Sequence, residues 1–468
     1  MDVQGSPKLN VLVVGKGGRE HALVWKLVHS PSVERVYVVP GNGGTAPLVN
    51  VINICSIAAN NYPELVVFSQ KFGIGLVVAG SDDAVVDGIE GHFRGTGIPC
   101  FAASREAAEI ERSKVFARNF MEKHQIPTAK RRHFDHHGEA RQYVNSIDHQ
   151  VVIIKGDGLA AREDVVLPQK KEEARGGLSA TLAAEKGVVL PQTKDLAMAA
   201  LSVMFGPVID QSVVIEEFID GDEISVLTFS DGQTFKSLPP GQNHKRVWAG
   251  DQGPYTDGMG VYAPVDFVSP SQMKEIDEKI LRPTFDGLKA EGRRFVGLLL
   301  THIMITPSGE PKVVKYNAGF GDPETQTMML LLANQDLATI LLSCVSGELD
   351  NTDIQVRPGY VCNVVVIAGG YPDRYDPGDE IFKDRRAHLE STSTDLQVFH
   401  AGTEIVDGKL VTSGGRVLSV AAYAPTLQGA LDSAYAGIKN FYFNDMSFRK
   451  DIAARVTQQE QQNKGTEK

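Results

Sequence analysis

The fold class this sequence predicts is α/β: a doubly wound N-terminal domain, a central α+β region and a small β-rich C-terminal domain. Three observations carry that expectation. First, an apolar strand over 10–14 runs into the turn Gly15-Lys-Gly-Gly18 and then a helical stretch over 19–28, with Ala22, Leu23, Leu27 and Val28 on one face. Second, two more apolar strands, over 36–39 and 75–78, end in glycine-rich turns at 40–44 and 79–82. Strands alternating with helices through such turns build an open parallel sheet, with ligands at the strand ends. Third, after Gln125-Ile-Pro-Thr128 the pattern changes to β-rich segments with longer loops.

The remaining elements follow in order. A helical stretch over 106–122 precedes that change, and strands are expected over 151–154, 213–215 and 224–228. Strands and long loops then alternate to about Asp322. A third region begins near Arg357, with a strand over 361–367, the turn Gly369-Gly-Tyr-Pro372 and a hairpin-like run over 406–411. From Thr457 the chain is polar and poor in apolar residues, as expected of a disordered tail over 457–468. These shifts predict domains over 1–107, 108–340 and 341–456.

Bulk properties narrow the function. A length of 468 residues exceeds one ordinary core, so several domains are expected. The hydrophobic share of 42% and charged share of 22% are those of a soluble globular protein. A net charge of −11 argues against a nucleic-acid partner, while leaving room for a local basic pocket. Cys55, Cys100, Cys344 and Cys362 are scattered, without metal-ligand spacing, and read as reduced thiols of a cytosolic protein. The first residues carry no apolar signal core. The longest apolar runs, such as 296–305 with its interruptions Thr301 and His302, are too short to span a bilayer. A cytoplasmic location with no membrane partner is expected.

Three places carry chemistry. Gly17, Gly18 and Arg19 stand between a strand and a helix, where backbone N–H groups form an anion nest. Many α/β loops need glycine for geometry alone, but a basic residue at a helix start opposes the helix dipole and favours the anion reading. His244, Lys245 and Arg246, adjacent in a glycine-rich double loop over 241–260, suit either a phosphate or carboxylate clamp or ordinary surface. Asn317, Asp322 and Glu324 follow a strand over 312–316. Oxygen ligands there can place Mg²⁺ and a substrate amine, although Asp-Pro alone is more often a turn.

Taken in order, the motifs Gly-Gly-Arg-Glu-His-Ala, Pro-Gly-Asn-x-Gly-Thr, Ser-Lys-x-Phe, Lys-x-x-Gly-Leu-Ala-Ala, Glu-Glu-Phe, His-Lys-Arg, Gly-Met-Gly, Phe-Gly-Asp-Pro-Glu-Thr-Gln and Phe-His-Ala-Gly-Thr resemble one family. It is the phosphoribosylamine–glycine ligases, the glycinamide ribonucleotide synthetases of purine biosynthesis. The match runs from about Val11 to Arg455. Ser413-Gly-Gly-Arg416 and Arg449-Lys-Asp-Ile452 look most like fungal members, though this chain stops where theirs continue into a second enzyme domain.

The resemblance implies an ATP-grasp fold and an ATP-dependent carbon–nitrogen ligase. ATP phosphorylates the glycine carboxylate to an acyl phosphate, which the ribosylamine nitrogen attacks. ATP with Mg²⁺ or Mn²⁺ is implied, as are small-molecule substrates, an amino acid and a phosphorylated amine. Motif by motif, Lys114 and Lys155 fall on two ATP-contacting lysines, Glu217 on the strand that meets adenine, and Glu223 on a carboxylate near the nucleotide ribose. Gly17, Gly18 and Arg19 fall on the ribosylamine-phosphate turn, and Asp322 and Glu324 on the loop where the amino acid sits. Lys245, Arg246 and Asp322 are the catalytic candidates.

The chain also departs from that pattern. Val-Val-Leu-Pro-Gln at 165–169 recurs at 188–192, and Leu-Ala-Ala at 159–161 recurs at 182–184. The family's phosphate-covering loop, Ala-Ala-Gly-Lys-Gly-Val, becomes Ala161-Arg-Glu-Asp-Val165 in the first copy and Ala184-Glu-Lys-Gly-Val188 in the second. A partly duplicated insertion over about 165–187 is expected within a flexible lid over about 128–212. Either Lys186 supplies the phosphate contact or the loop is simply disordered. The family's metal-binding Glu and Asn correspond to Lys315 and Asn317, and a protonated lysine cannot ligate Mg²⁺. Asn317 is left as the expected ligand. A family Arg is Gly319, and further changes fall at Ser81, Asp82, Ala102–Ser104, Asn243, Tyr255 and Asp257. The expectation is a ligase of this class with altered metal and phosphate handling and altered substrates. The alternatives are an inactive relative that binds a nucleotide or a partner, and an inert product of a duplicated gene.

Overall fold

The computed structural model describes residues 8–147, 152–156, 188–189, 193–205, 212–332, 335–383 and 395–457. Lys186, the expected insertion and the tail beyond Thr457 lie outside the described residues. The first sheet comprises β1 (Leu9–Gly15), β2 (Val33–Pro40), β3 (Val51–Asn53), β4 (Ile74–Ala79) and β5 (Cys100–Phe101). It is parallel and ordered β3-β2-β1-β4-β5. In β1, Leu12 and Val14 enter one core while Val11 and Val13 enter another. Burial on both faces explains why the strand reads as an unbroken apolar run. The chain leaves β1 toward β2 and returns on the other side as β4, so the turn after Gly15 lies at the topological switch point.

A small antiparallel sheet, ordered β6-β9-β7-β8, joins β6 (Arg131–Phe134), β7 (Val152–Gly156), β8 (Val188–Val189) and β9 (Val213–Glu217). It packs on helices His137–Ser146 and Lys194–Met204 around Phe134, Val144, Ile154, Leu201 and Ile215, a core of its own.

The central sheet is built from β10 (Asp222–Asp231), β11 (Phe235–Ser237), β16 (Val296–Ile305) and β17 (Pro311–Asn317), ordered β11-β10-β16-β17. The intervening chain supplies β12 (Gln242–Asn243), β13 (Arg246–Trp248), β14 (Gln252–Tyr255) and β15 (Gly260–Ala263). Side chains alternate across this sheet. Ile224, Val226, Leu299, Ile303, Val313 and Tyr316 fill one core; Leu227, Phe229, Leu298 and Leu300 fill the other. β12 and β15 extend the C-terminal sheet through strands Tyr360–Ile367, Arg416–Ala424 and Leu396–His400.

Two differences from the sequence reading have physical reasons. The expected strands and loops before Asp322 include a continuous helical run, Pro270–Ile276, Asp277–Leu281 and Arg282–Ala290. Ser269 and Gln272 form its capping box, and Ile276, Ile280, Phe285 and Leu288 line its buried face. The stretch over 106–122 is two helices, because Ser113 caps Lys114–Lys123 by accepting from Phe116 N–H at 3.1 Å. The Ser-Lys-x-Phe motif therefore marks a helix start. The hairpin near 406–411 is present, Thr403–Val406 pairing with Lys409–Thr412. Among the described residues no helix is long and apolar enough to cross a membrane.

Candidate active site

The apolar second face of the central sheet turns polar at one end. Ser225 on β10, His302 on β16 and Lys315 on β17 are cross-strand neighbours, with Glu223 and Asn317 two positions along. His302 is the centre of this cluster. Its Nδ1 lies 3.2 Å from Glu223 Oε1 and 3.5 Å from Lys245 Nζ, and its Nε2 lies 3.2 Å from Asn317 Oδ1. Burial, then the Lys245 charge, holds the imidazole down at about 4, so it is neutral near pH 7. Lys245 Nζ donates to Glu223. Burial opposes both charges of that pair, yet each prevails through the other: the carboxyl is held well below its usual range and the ammonium above it.

The walls of the cluster are polar too. Asn317 Nδ2 donates to Glu111 Oε1 at 2.7 Å, and Ala318 N–H to Glu111 Oε2 at 2.6 Å. Glu324, at the start of helix Glu324–Leu331, accepts from Ser225 Oγ at 3.0 Å and Asn243 Nδ2 at 2.9 Å. Lys315 differs from the rest. It is exposed, and its charge acts on Asp82 and His302.

A second cluster sits at the turn after β1. Arg19 donates to Glu20 Oε1 at 2.9 Å, Asp82 Oδ1 at 3.0 Å and the Phe320 carbonyl at 2.7 Å. Glu20 accepts from Gly17 N–H at 2.5 Å, capping the helix Gly18–Val28. Asp322 accepts from Gln326 Nε2 at 2.8 Å and faces Arg416 Nη2 at 3.6 Å. Burial disfavours the Asp322 carboxylate, but Arg416 and Arg19 keep its pKa below the ordinary value. A side chain at Gly18 would meet Gln326 Nε2 at 2.5 Å and displace that amide from Asp322.

The sequence candidates thus divide. Gly17, Gly18, Arg19 and Asp322 gather at the first turn, while Glu223, Lys245, Glu324 and Asn317 gather at the sheet end. His244, Lys245 and Arg246, read from sequence as either a clamp or ordinary surface, leave the chain in different directions, because neighbours on an extended chain point apart. His244 Nε2 accepts from Ala453 N–H at 3.1 Å, and Arg246 lies over the Tyr255 ring and donates to the Gly253 carbonyl at 2.6 Å. Glu217 receives Lys130 N–H at 3.2 Å and faces Lys312 Nζ at 3.5 Å, bridging the small and central sheets. Lys114 is exposed in the first turn of its helix, and the Lys155 backbone pairs with Val188 and Val214. His302 and Glu111 were not singled out from sequence. A histidine inside the apolar run 296–305 was the available signal.

Profiles of three domains match this chain in order: the phosphoribosylglycinamide synthetase N domain over 9–111, the ATP-grasp (A) domain over 112–181 and 177–325, and the C domain over 361–455. The phosphoribosylamine–glycine ligase of Pasteurella multocida is 37% identical over 97% of this chain and 100% of its own length. The chain belongs to the phosphoribosylglycinamide synthetase family. The bifunctional purine biosynthetic protein of Schizosaccharomyces pombe is 44% identical over 94% of this chain but only 53% of its own length. The chain thus spans about half the length of such fungal relatives. The phosphoribosylamine–glycine ligase structure from Thermotoga maritima superposes with a TM-score of 0.71 at 29% identity, covering 95% of this chain and 100% of that one. A biotin carboxylase domain, at 13% identity and TM-score 0.64, shares the fold. The architecture of this phosphoribosylglycinamide synthetase relative is therefore ATP-grasp, a fold that implies ATP and a divalent ion.

At the sheet end a divalent ion would compete for oxygens that already hold donors: Asn317 Oδ1, both Glu111 oxygens and one oxygen each of Glu223 and Glu324. Among the described residues no group of three or more His, Cys, Asp and Glu side chains could hold a metal.

Proposed function

We propose that this chain is an ATP-dependent carboxylate–amine ligase of the phosphoribosylamine–glycine ligase type, with altered metal and phosphate handling. The single observation that carries the reading is the first cluster. Arg19, Asp82, Asp322 and Arg416, from four distant segments, converge on a glycine turn at a switch point. There the turn opens the N-terminus of the helix Gly18–Val28, and the ionised Asp322 offers an acceptor for a substrate ammonium. Bound ATP would supply the phosphoryl group. Lys114 and the lysine at 155 are proposed to face it, with Glu217 and Glu223 at the nucleotide.

Two observations support Lys186 as the lysine of the covering loop. Val188 of the second copy pairs with Lys155, and the ATP-grasp profile matches in two pieces that overlap at 177–181, between the two copies. The proposed domains, 1–107, 108–340 and 341–456, are supported by the three profile matches. A purine-pathway role is supported by the names of the fungal relatives, bifunctional purine biosynthetic proteins.

Phosphate release from ATP tests the reading, assayed with glycine and a phosphorylated ribosylamine, singly and together. We expect release to rise only with the pair. No rise with the pair, in a protein whose melting temperature millimolar ATP does raise, would replace the ligase reading with that of a nucleotide-binding relative. The commitment of Asn317 and the replacement at Lys315 favour that second reading.

A further inference from the structure

We infer that the polar end of the central sheet accepts the triphosphate of a nucleotide in its metal-free form, with the Lys315 ammonium facing the anionic oxygens. The inference rests on the nucleotide reading of this site and goes beyond it by specifying the ionic form bound.

Three observations carry it. Several oxygens at this end of the sheet are already committed. Asn317 Oδ1 faces His302 Nε2, both Glu111 oxygens take N–H groups from 317 and 318, and Glu324 Oε1 takes Ser225 and Asn243. A cation drawing on them would strand buried donors, each costing roughly 1–3 kcal/mol. Next, Lys315 stands across the ladder from His302 and two residues from Asn317, so its side chain leaves the same face of the sheet. An ammonium there repels a second cation and has three donors to offer an anion. Finally, Lys315 is exposed at the edge of the cluster while Lys245 is bound to Glu223. The second ammonium is neutralised internally; the first faces outward.

Metal-free triphosphate carries roughly two more negative charges than its magnesium complex, because the ion itself is the largest charge present. Lys315 sits where that extra negative charge is favourable. An acidic residue at this position reverses the preference.

Calorimetric titration of the full chain with ATP, in EDTA and in millimolar Mg²⁺, tests this. We expect binding in EDTA at least as tight as in Mg²⁺. Lys315→Glu should weaken the EDTA affinity about tenfold, the scale of one charge-assisted contact, and shift the preference toward Mg²⁺. Lys315→Met should lie between the two, and both substitutions are at an exposed position that leaves folding intact. Binding that requires Mg²⁺ in the native chain would overturn the inference and leave the ligase reading standing. Unchanged EDTA affinity in Lys315→Glu would overturn it as well. Absence of ATP binding under both conditions would overturn the nucleotide reading along with it.

Discussion

The turn after β1 and the polar end of the central sheet are both charged clusters, but they are built differently. In the first, Arg19, Asp82, Asp322 and Arg416 come from separate segments, 63 residues apart for Arg19–Asp82 and 94 for Asp322–Arg416, so each ion pair also ties regions together. In the second, Ser225, His302, Lys315 and Asn317 share one sheet face, and only Lys245, Glu324, Asn243 and Glu111 reach in from elsewhere. A cluster that holds the domains together cannot lose a member without stranding a buried partner. A cluster laid out along one sheet can exchange an edge residue cheaply.

The comparison is most exposed to failure at Arg19. Its side chain is 14% exposed and answers Glu20, which is 3% exposed, and Asp82. Burial opposes the guanidinium, but Asp82 and Glu20 prevail and raise its pKa. Removing one partner of a buried pair costs about 3–5 kcal/mol. Arg19→Met should therefore lower urea-measured stability by that order, and adding Asp82→Asn should recover part of the loss. A loss under about 1 kcal/mol, within the range of ordinary surface changes, would break the contrast.

A smaller effect is expected from pH at His244, which fastens the loop beside Lys245 to the C-terminal segment. Its Nε2 accepts from Ala453 N–H, which requires that nitrogen to be unprotonated. Burial, then Arg449, lowers its pKa from 6.5 to about 4. The unfolded chain therefore binds the proton first, and His244 imposes no penalty above pH 6.5. Stability falls as pH drops from 6.5 toward 4, by up to about 3 kcal/mol from this group. His244→Asn keeps an acceptor and should flatten the stability–pH curve in that window. An unchanged slope would show that His244 is already protonated when folded.

How much of this was legible follows from where each signal lies. The apolar runs over 10–14 and 75–78 announce β1 and β4 because strands buried on both faces need no alternation. The Phe-His-Ala-Gly-Thr motif was recognised only by resemblance. Its role is packing: Phe399 and His400 meet His21 and Trp25, with His400 N–H donating to His21 Nδ1 at 2.9 Å. The helices over 270–290 were missed although Ser269 and Gln272 signal their start, since the flanking strands suggested a β region. Residues 244–246 were readable as a clamp or as ordinary surface because adjacency in sequence says nothing about which way each side chain leaves an extended chain. His302 gave a weak sign as a polar residue in an apolar strand, but its partners, Glu223 and Asn317, are set by register. Pairing across strands is the information a single sequence carries least clearly.

The smallest expected effect sharpens the comparison most. Lys315→Met removes an exposed cation whose neighbours, Asp82 and His302, are each held by other partners: Asp82 by Arg19, His302 by Glu223 and Asn317. Its deletion strands no buried donor, so unfolding stability should change by no more than about 0.5 kcal/mol. The same type of substitution at Lys245 behaves differently, because it leaves Glu223 buried beneath His302 without its ammonium. Lys245→Met should cost several-fold more than Lys315→Met in the same urea titration. Equal costs would mean that Lys315 is as deeply woven into the fold as Lys245, and the sheet end would then have to be regarded as a structural cluster with no cation to spare for a ligand.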